Sequence, residues 1–441
     1  MKKKATRKEA RERLENFRLG CELVKAIRRF FPDLMARLEE ISDPRHQSYI
    51  VYSSRVLLAT RILSAVFYID SMRKTSEEFN SETVIANIGY LCGEELEELP
   101  YWETINNYLK RVNPQELQKA VCELARRLIR SKAFDGARIR GKFWQVLIDG
   151  SGMVASRTEL DGNYIFRVYH KGTEQEYTQY EYYALEAKLV LANNIVVSVM
   201  TEFVENKDVE WEKQDCERKA CKRLMKRLKE MFPNLPICIG ADSLYANHPF
   251  FQACKEYHWR YIVRFKEGSI PTVFQEYEAL RKLSGNQRKG TDGNISYRYD
   301  FVSDIDYKGH KLNCLEYAED GRLYPFVFLT DLPLSHRNAR ETAFFGRRRW
   351  KIENQGFNEQ KNHGFALGHL FSRNCQAMKN HYYLIQIGHM IAQIMDAWKA
   401  LWKDIRQSKE QKHRRLLESW KTHRLSEWMP AEPSRFQIRL E

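Results

Sequence analysis

The segment RRRWKIENQGFNEQK, residues 347–361, surrounds the acid Glu353 with basic side chains. If the segment is an α-helix, Arg349 lies on the same face one turn before that acid, and Lys361 lies about 80° round from it. A carboxylate among cations suits a group that holds a metal ion beside phosphates. An ordinary Arg–Glu pair on a solvated helix would give the same pattern, so this interpretation needs support from acids elsewhere in the chain.

Two short apolar runs upstream each end in an aspartate, Asp149 in FWQVLIDG and Asp242 in LPICIGAD. Both runs are typical of buried strands that are followed by turns. If the strands are parallel neighbours, the two carboxylates lie side by side at one sheet edge, and a helix packed there could bring Glu353 to them. An Asp that only forms a turn is the alternative for each residue taken singly.

Three carboxylates at one edge would repel one another unless cations were bound. Hard oxygen ligands of this kind suit Mg²⁺ or Mn²⁺. Two such ions about 3.5–4 Å apart clamp the attacking and leaving oxygens of an in-line phosphoryl transfer. The sequence therefore predicts a two-metal site in which Asp149, Asp242 and Glu353 are both the catalytic and the metal-binding residues.

The elements between the two aspartates follow a definite order. Strand-like runs within Tyr182–Asn206 flank a predicted turn at Asn193 and Asn194, and an amphipathic helix is predicted over residues 208–231. Strand, antiparallel hairpin, helix and strand is the order of the front half of a ribonuclease H-like α/β core. Strand-like runs resume further on, and we interpret residues 265–331 as a β-rich subdomain inserted into that core.

Two further helices are predicted after the insertion. One begins near Arg337 and carries Glu353, and a second, longer one covers Gln376–Trp402. Inside the insertion, Arg281–Asn294 is typical of a basic loop rich in turn residues. The tail from Lys403 onward is strongly basic and forms either a DNA-contacting helix or a solvated one.

Residues 1–140 are predicted to be helical, because apolar residues recur there at three- and four-residue intervals. Within this region LPYWETINNYLKRV, Leu99–Val112, could form a DNA-recognition helix with Asn107, Lys110 and Arg111 on its polar face. A packed helix with a polar outer face explains the same pattern.

The composition favours a folded protein with an anionic partner. The net charge is +14, and hydrophobic residues make up 43% of the chain, so nucleic acid is expected before a membrane surface. The nine cysteines form no Cys-x-x-Cys pair, and the charged N-terminus is not followed by an apolar segment, which predicts reduced thiols in a cytosolic protein. The apolar stretch Val56–Ile69 is interrupted by Arg61 and is shorter than the ~20 residues that span a bilayer, so no membrane partner is expected.

These features together resemble one known family, the DDE transposases of bacterial insertion sequences, in the subgroup with a β-rich insertion inside the catalytic core. The resemblance covers about Leu99 to Trp402. The matching pieces are VLIDGSG, DCERKACKRLMKRL, ICIGADSLYAN, FVFLTDL, RRRWKIENQGFNEQK and HLFSRN.

The resemblance implies a ribonuclease H-like fold, a carboxylate triad at Asp149, Asp242 and Glu353, and two Mg²⁺ ions. It also implies an activity, the cutting and joining of double-stranded DNA at the terminal inverted repeats of a transposon and at a target. A homodimer in the synaptic complex is expected on the same basis. The expected division is a helical DNA-binding region over 1–140, a catalytic core over 141–402 and a basic tail over 403–441.

The family's signature around the glutamate is Tyr, Arg, Glu and Lys, separated by two, three and six residues. Arg349 and Glu353 fit this spacing, whereas Gly346 stands at the Tyr position and Gln360 at the Lys position. Lys361 follows one step later. By their charge, three arginines and this lysine are the expected phosphate contacts, namely Arg347, Arg348, Arg349 and Lys361. Solvated surface charge is the alternative, for Arg347 in particular.

Five neighbouring side chains receive smaller roles. Tyr245, just after the second aspartate, is expected to line the site. His363 and His369 are expected to be structural and not metal ligands. Trp350 and Phe357 are expected to pack the glutamate-bearing helix onto the core.

The leading hypothesis is therefore a cut-and-paste DNA transposase located in the bacterial cytoplasm and associated with the nucleoid when bound to DNA. One alternative is a metal-dependent nuclease on the same fold that cuts without joining. The other is a DNA-binding protein that derives from a transposase and no longer catalyses, although the three acids argue against it.

Overall fold

The computed structural model describes residues 18–191, 195–206, 214–403, 405, 407–429 and 438. The predicted turn at Asn193 and Asn194 lies outside the described residues, and so do the first residues of the helix predicted over 208–231. Within the described residues no helix is long and apolar enough to cross a membrane. All nine cysteines are free thiols.

The N-terminal region is helical, as predicted. Asn113 caps one of its helices by accepting a 3.0 Å hydrogen bond from the Gln115 amide, and Pro114 occupies the first helical position. The described helices here are α1 (Leu19–Phe30), α2 (Leu34–Glu39), α3 (Ser54–Val66), α4 (Met72–Glu78), α5 (Glu82–Cys92), α6 (Trp102–Leu109) and α7 (Pro114–Arg130).

The next part of the chain forms the core of a single sheet. Its strands are β1 (Trp144–Ser156), β2 (Ile165–Tyr169), β3 (Tyr177–Val190), β4 (Val196–Val204), β5 (Ile237–Ala241) and β6 (Arg260–Arg264). Helix α8 (Glu217–Met231) precedes β5, and α9 (His248–Glu256) connects β5 to β6.

The order of these strands defines the fold. In space they run β4-β3-β1-β5-β6, with β4, β3 and β1 antiparallel and β1, β5 and β6 parallel. If these five strands are numbered 1 to 5 in chain order, leaving β2 out, their spatial order is 3-2-1-4-5. This is the topology of a ribonuclease H-like core, so the predicted fold is confirmed. Strand β2 pairs antiparallel with the first residues of β3, from Tyr177 to Glu181.

The predicted β-rich insertion extends this sheet. After helix α10 (Pro271–Ser284) come four strands: β7 (Arg288–Asp292), β8 (Ile295–Tyr307), β9 (His310–Glu319) and β10 (Phe326–Thr330). They continue the sheet from β6 in the order β10-β9-β8-β7, all antiparallel. The predicted loop over Arg281–Asn294 is wrong, because its first residues end α10 and its later ones pair with β8 in a hairpin that turns at Gly293, where φ is +57°.

The helix predicted to run unbroken from near Arg337 is interrupted. Helix α11 (Ala339–Arg347) ends in a turn, and Ile352–Asn358 then form a π-helix, which leads into the short α12 (Glu359–Asn362). Glu353 therefore lies on a π-helical turn. Ile352 and Phe357 pack this turn against Leu147 of β1 and Val190 of β3.

The long C-terminal helix is central to the core. Helix α13 (Cys375–Ala397) packs against α3 and α7, and the side chains of Tyr383, Ile387, Ile391 and Ile394 on its predicted apolar face are all buried. The remaining described helices are α14 (Lys399–Trp402), α15 (Lys409–Thr422) and α16 (Leu425–Trp428).

Candidate active site

Asp149 and Asp242 stand at matching positions on neighbouring parallel strands. Leu147 of β1 pairs with Gly240 of β5, and each aspartate follows two residues later. The prediction that Asp149 ends its strand is wrong. Strand β1 continues to Ser156 because β3 goes on pairing with it after β5 has ended.

Asp242 directly follows β5 and is held by the turn behind it. Its carboxylate caps the short 3₁₀ helix Ser243–Tyr245 and accepts a 2.8 Å hydrogen bond from the Leu244 amide. One carboxylate oxygen is therefore committed to the backbone, which fixes the orientation of the other.

Arg349 links Glu353 to Asp149 by contacting both carboxylates. The guanidinium of Arg349 lies 3.0 Å from Asp149 Oδ2 and 3.5 Å from Glu353 Oε1. Arg349 and Asp149 are only 15% and 16% exposed, whereas Glu353 is 51% exposed. Arg349 therefore bridges the sheet aspartate and the helix glutamate, with the stronger contact on the buried side.

Burial affects the pKa of Asp149 more than the charges around it do. Burial raises the pKa of Asp149 to about 7, Arg349 partly opposes this, and the charges of Asp242 and Glu353 add to the rise. The field of both other acids thus reaches Asp149, and a bound cation would relieve it.

These three carboxylates fit divalent metal ions in their chemistry, because they are hard oxygen donors. Two of them, Asp149 and Asp242, stand in matched register on parallel strands. Within the part of the chain that the structure describes, no three His, Cys, Asp or Glu side chains are gathered closely enough to hold a metal ion. The Arg349 guanidinium contacts both Asp149 and Glu353.

A fourth acid near the site, Glu217, was missed by the sequence analysis. It begins α8 and accepts hydrogen bonds from Tyr183 (2.5 Å) and Tyr245 (3.1 Å). A Cβ atom added to Gly150 would lie 2.9 Å from its carboxyl carbon, so a glycine is needed beside Asp149. No spacing in the sequence marks this acid, because its partners come from β3 and from the turn after β5.

Tyr245 is 1% exposed and supports the site from behind. Its hydroxyl is held by Glu217, and its pKa is raised well above the usual value by burial and by nearby acids that include Asp149 and Asp242. The expectation that Tyr245 lines the open site is therefore corrected. It ties the turn after Asp242 to α8.

A strongly basic cleft of about 520 Å³ opens beside Asp242. One wall comes from β6 and β10 and the other from the α11 segment that leads to Glu353. The cationic lining residues are Arg264, Lys266, Arg322, Arg347, Arg348, Arg349 and Lys351. Phe326, Phe328, Phe344 and Trp350 add aromatic surface.

The arginines of the predicted phosphate-binding group differ in their surroundings. Arg347 forms an ion pair with Glu319, whereas Arg348 lies over the rings of Phe344 and Phe345. The structure pairs Arg348 with no carboxylate of the described residues, and its Nε atom is buried without a hydrogen-bond partner. Arg348 is therefore better placed than Arg347 to receive an anion.

The other predicted DNA contacts do not line this cleft. Lys361 lies in α12, just after the π-helical turn, where burial lowers its pKa and the charge of Glu181 opposes the change. Asn107, Lys110 and Arg111 are exposed at the end of α6, with the lysine donating a 3.0 Å hydrogen bond to the asparagine. A DNA-contacting role for these four residues stays a prediction.

Both departures from the family signature have a structural reason. A Cβ at Gly346 would lie 2.6 Å from the ring of Phe328, so a tyrosine does not fit there. Gln360 is fully buried and bonds to Gln386 and Lys188. It therefore cannot contact DNA.

The predictions for the two aromatic residues near Glu353 have opposite outcomes. Phe357 packs into the core as expected, but the same prediction for Trp350 is wrong, because its side chain is 54% exposed at the cleft. His363 pairs with Glu410, and His369 packs on Phe371.

The strand order is that of a ribonuclease H-like core, and Asp149 and Asp242 stand in matched register on its parallel strands. The family model described as "Transposase DDE domain" matches residues 141–391, more than half of the chain, and the chain belongs to this family. No curated protein matches it.

Among solved structures, the chain is similar to "Cryo-EM structure of piggyBac transposase synaptic complex with hairpin DNA". The identity is 12% and the TM-score is 0.40, over 93% of this chain and 82% of that one.

Proposed function

We propose that this protein cleaves DNA at the ends of a transposon and transfers the freed 3′-hydroxyl into target DNA. The observation that carries the proposal is the matched register of Asp149 and Asp242 on parallel strands, with Glu353 linked to the first of them through Arg349. Membership of the DDE transposase family supports the same assignment of the three acids.

Asp149, Asp242 and Glu353 would hold two Mg²⁺ or Mn²⁺ ions. When bound, such ions supply activation of the attacking water or 3′-hydroxyl and stabilisation of the leaving 3′-oxygen. Asp149 must lose its proton to become a ligand, and the nearby Arg349 favours that loss. Asp242 contributes the oxygen that its turn leaves available.

Arg349 is proposed to exchange partners when DNA binds. Its guanidinium contacts both Asp149 and Glu353, and it also lines the basic cleft. A phosphate entering the cleft offers the guanidinium a bidentate anionic partner. Movement of Arg349 toward that phosphate would free both carboxylates for metal ions. The complete metal site would then form only when DNA is bound.

The basic cleft is the proposed path of the DNA strand beside the acids. Arg348 and Lys266 face it from opposite walls, and the aromatic lining suits contact with sugars and bases. The helical N-terminal region, with Asn107, Lys110 and Arg111, is proposed to recognise the terminal inverted repeats. A synaptic homodimer, acting on DNA in the bacterial cytoplasm, completes the proposal.

The test incubates the purified protein with its own flanking DNA ends, a plasmid target and Mg²⁺ or Mn²⁺, beside an Asp242→Asn variant. Joined products with the wild type and none with the variant are expected. Metal-dependent fragments without joined products would instead support the nuclease alternative. Binding of intact ends without cleavage by either protein would support a non-catalytic DNA-binding protein.

A further inference from the structure

Lys188 is a fully buried lysine that the proposed chemistry does not use. It lies on β3 opposite Leu147, two residues before Asp149 on β1. Its ammonium donates to Gln386 Oε1 at 2.8 Å and to Gln360 Oε1 at 3.4 Å. A buried cation costs several kcal/mol unless it is well paired, so these contacts must offset a considerable penalty.

The partner that fixes this lysine is the buried acid Glu186, 3.6 Å away. Glu186 stands opposite Asp149 in the β1–β3 ladder. Its carboxylate accepts hydrogen bonds from the hydroxyls of Ser198 (2.6 Å), Thr201 and Tyr382 (3.0 Å). The ion pair therefore has a rigid base in the same strands that carry the first catalytic aspartate.

The π-helical turn Ile352–Asn358 rests directly on Lys188. A Cβ added to Gly356 would lie 3.2 Å from Lys188 Cδ, and the ammonium lies 5.5 Å from the ring centre of Phe357. Gln360, just after the turn, donates a 2.8 Å hydrogen bond to Gln386, which also accepts from the lysine. The helix that carries Glu353 thus contacts the sheet at this lysine, beside the packing of Ile352 and Phe357 on Leu147 and Val190.

The π-turn changes which residues share a face with Glu353. A turn closed by i→i+5 hydrogen bonds contains about one residue more than an α-turn. Lys361 follows Glu353 by eight residues, so with one residue absorbed it lies about 20° from the glutamate, where an unbroken α-helix would give about 80°. Gln360 then points inward, as its complete burial shows.

We propose that Lys188 is a positioning residue, which holds the π-helical turn in place and so aligns Glu353 and Lys361 on the active-site face. This inference rests on the proposed function of Glu353. It adds a role for a residue beneath the site that touches neither DNA nor metal.

The test replaces the ion pair as a unit, Lys188→Met with Glu186→Gln, because removing one partner would leave a buried charge alone. Asn380→Ala is the matched control. That buried asparagine donates to the Leu109 and Val112 carbonyls and bonds to no residue of the π-turn. Hydrogen exchange of the amides over 352–361 is measured without DNA or metal, and end cleavage is then titrated with Mn²⁺.

In the double variant, exchange over 352–361 is expected to speed up by about tenfold or more, and half-saturation by Mn²⁺ to rise about 10- to 100-fold. Asn380→Ala should leave both the exchange rate and the half-saturation by Mn²⁺ unchanged, even if it lowers the melting temperature as much as the double variant does. Unchanged exchange in the folded double variant, or the same changes in the control, overturns the proposal. If the double variant does not fold, Gly356→Ala, which presses on Lys188 from the helix side, carries the same test.

The two proposals fail in different ways. A wild type without metal-dependent cleavage would contradict the proposed function, whereas the exchange measurement still decides whether Lys188 holds the turn.

Discussion

Arg349 Nη1 donates a 3.0 Å hydrogen bond to Asp149 Oδ2, although the two residues are 200 positions apart in the chain. The contact joins the segment that carries Glu353 to the strand that carries the first aspartate. It also places a protein cation where the proposed metal ions would need carboxylate oxygens. Arg349 is therefore expected to compete with metal in the absence of DNA.

Replacing Arg349 with alanine should tighten Mn²⁺ binding to the DNA-free protein and weaken catalysis. Removing a mostly buried charged hydrogen bond that competes for Asp149 is worth roughly 1.4 kcal/mol, or about tenfold in affinity. Strand cleavage should fall because the phosphate loses its bidentate partner. Calorimetric titration with Mn²⁺ and a cleavage assay measure the two effects, and weaker Mn²⁺ binding by the variant would contradict the competition.

Mn²⁺ binding should depend on pH through Asp149, whose pKa is raised to about 7. Below pH 7 the carboxyl is mostly protonated, so binding must release a proton and affinity should fall as the pH falls. Titrations at pH 6.5 in buffers of different ionisation enthalpy should reveal that proton. Asp149→Asn should release none, whereas Glu217→Gln should release as much as the wild type.

The same shift has a consequence for the stability of the metal-free protein. Because the folded pKa of Asp149 lies above its usual value of 3.8, its contribution to stability is full below pH 3.8 and is lost as the pH rises through 7. The wild type should therefore lose more stability than Asp149→Asn between pH 5 and pH 8, as measured by urea unfolding. An equal change in both proteins would show that another group is responsible.

The sequence predicted the core because its strands and helices are encoded locally. The apolar runs that end in Asp149 and Asp242 have the length and composition of buried strands, whatever elements surround them. The order of strands and helices along the chain then leaves few possible topologies. The length of β1 beyond Asp149 could not be predicted, since it depends on the partner β3 and not on the run itself. The π-helical turn around Glu353 was also out of reach, because its inward-facing residues contact side chains of other elements, such as Leu147, Val190 and Lys188.

Removing the acceptor shared by two tyrosines should loosen the turn behind Asp242. Glu217→Ala leaves the hydroxyls of Tyr183 and Tyr245 without this partner, which should cost about 1–3 kcal/mol in urea unfolding. Glu217→Gln keeps one acceptor oxygen and should lose less. Equal stability of the alanine variant and the wild type would mean that water replaces the carboxylate.

DNA binding in EDTA should become less sensitive to salt when the cleft loses charge. Lys266→Gln with Arg348→Gln removes two cations that line the cleft, and the slope of log K against log salt should decrease by about 0.9 for each lost phosphate contact. Lys255→Gln with Lys308→Gln removes two exposed cations that do not line it. A similar decrease of the slope in this second double variant would mean that the cleft is not the DNA path.

Restoring the family's tyrosine at Gly346 should destabilise the protein unless Phe328 is made smaller. A Cβ at this glycine lies 2.6 Å from the phenylalanine ring, so even Gly346→Ala should cost about 1–3 kcal/mol from overpacking. Phe328 is 2% exposed, and Phe328→Ala alone should also destabilise by leaving a cavity. Combined with Phe328→Ala, Gly346→Tyr should cost less than it does alone, because the ring then has room. A double-mutant cycle by urea unfolding measures this coupling, and purely additive costs would show that the two side chains do not exclude each other.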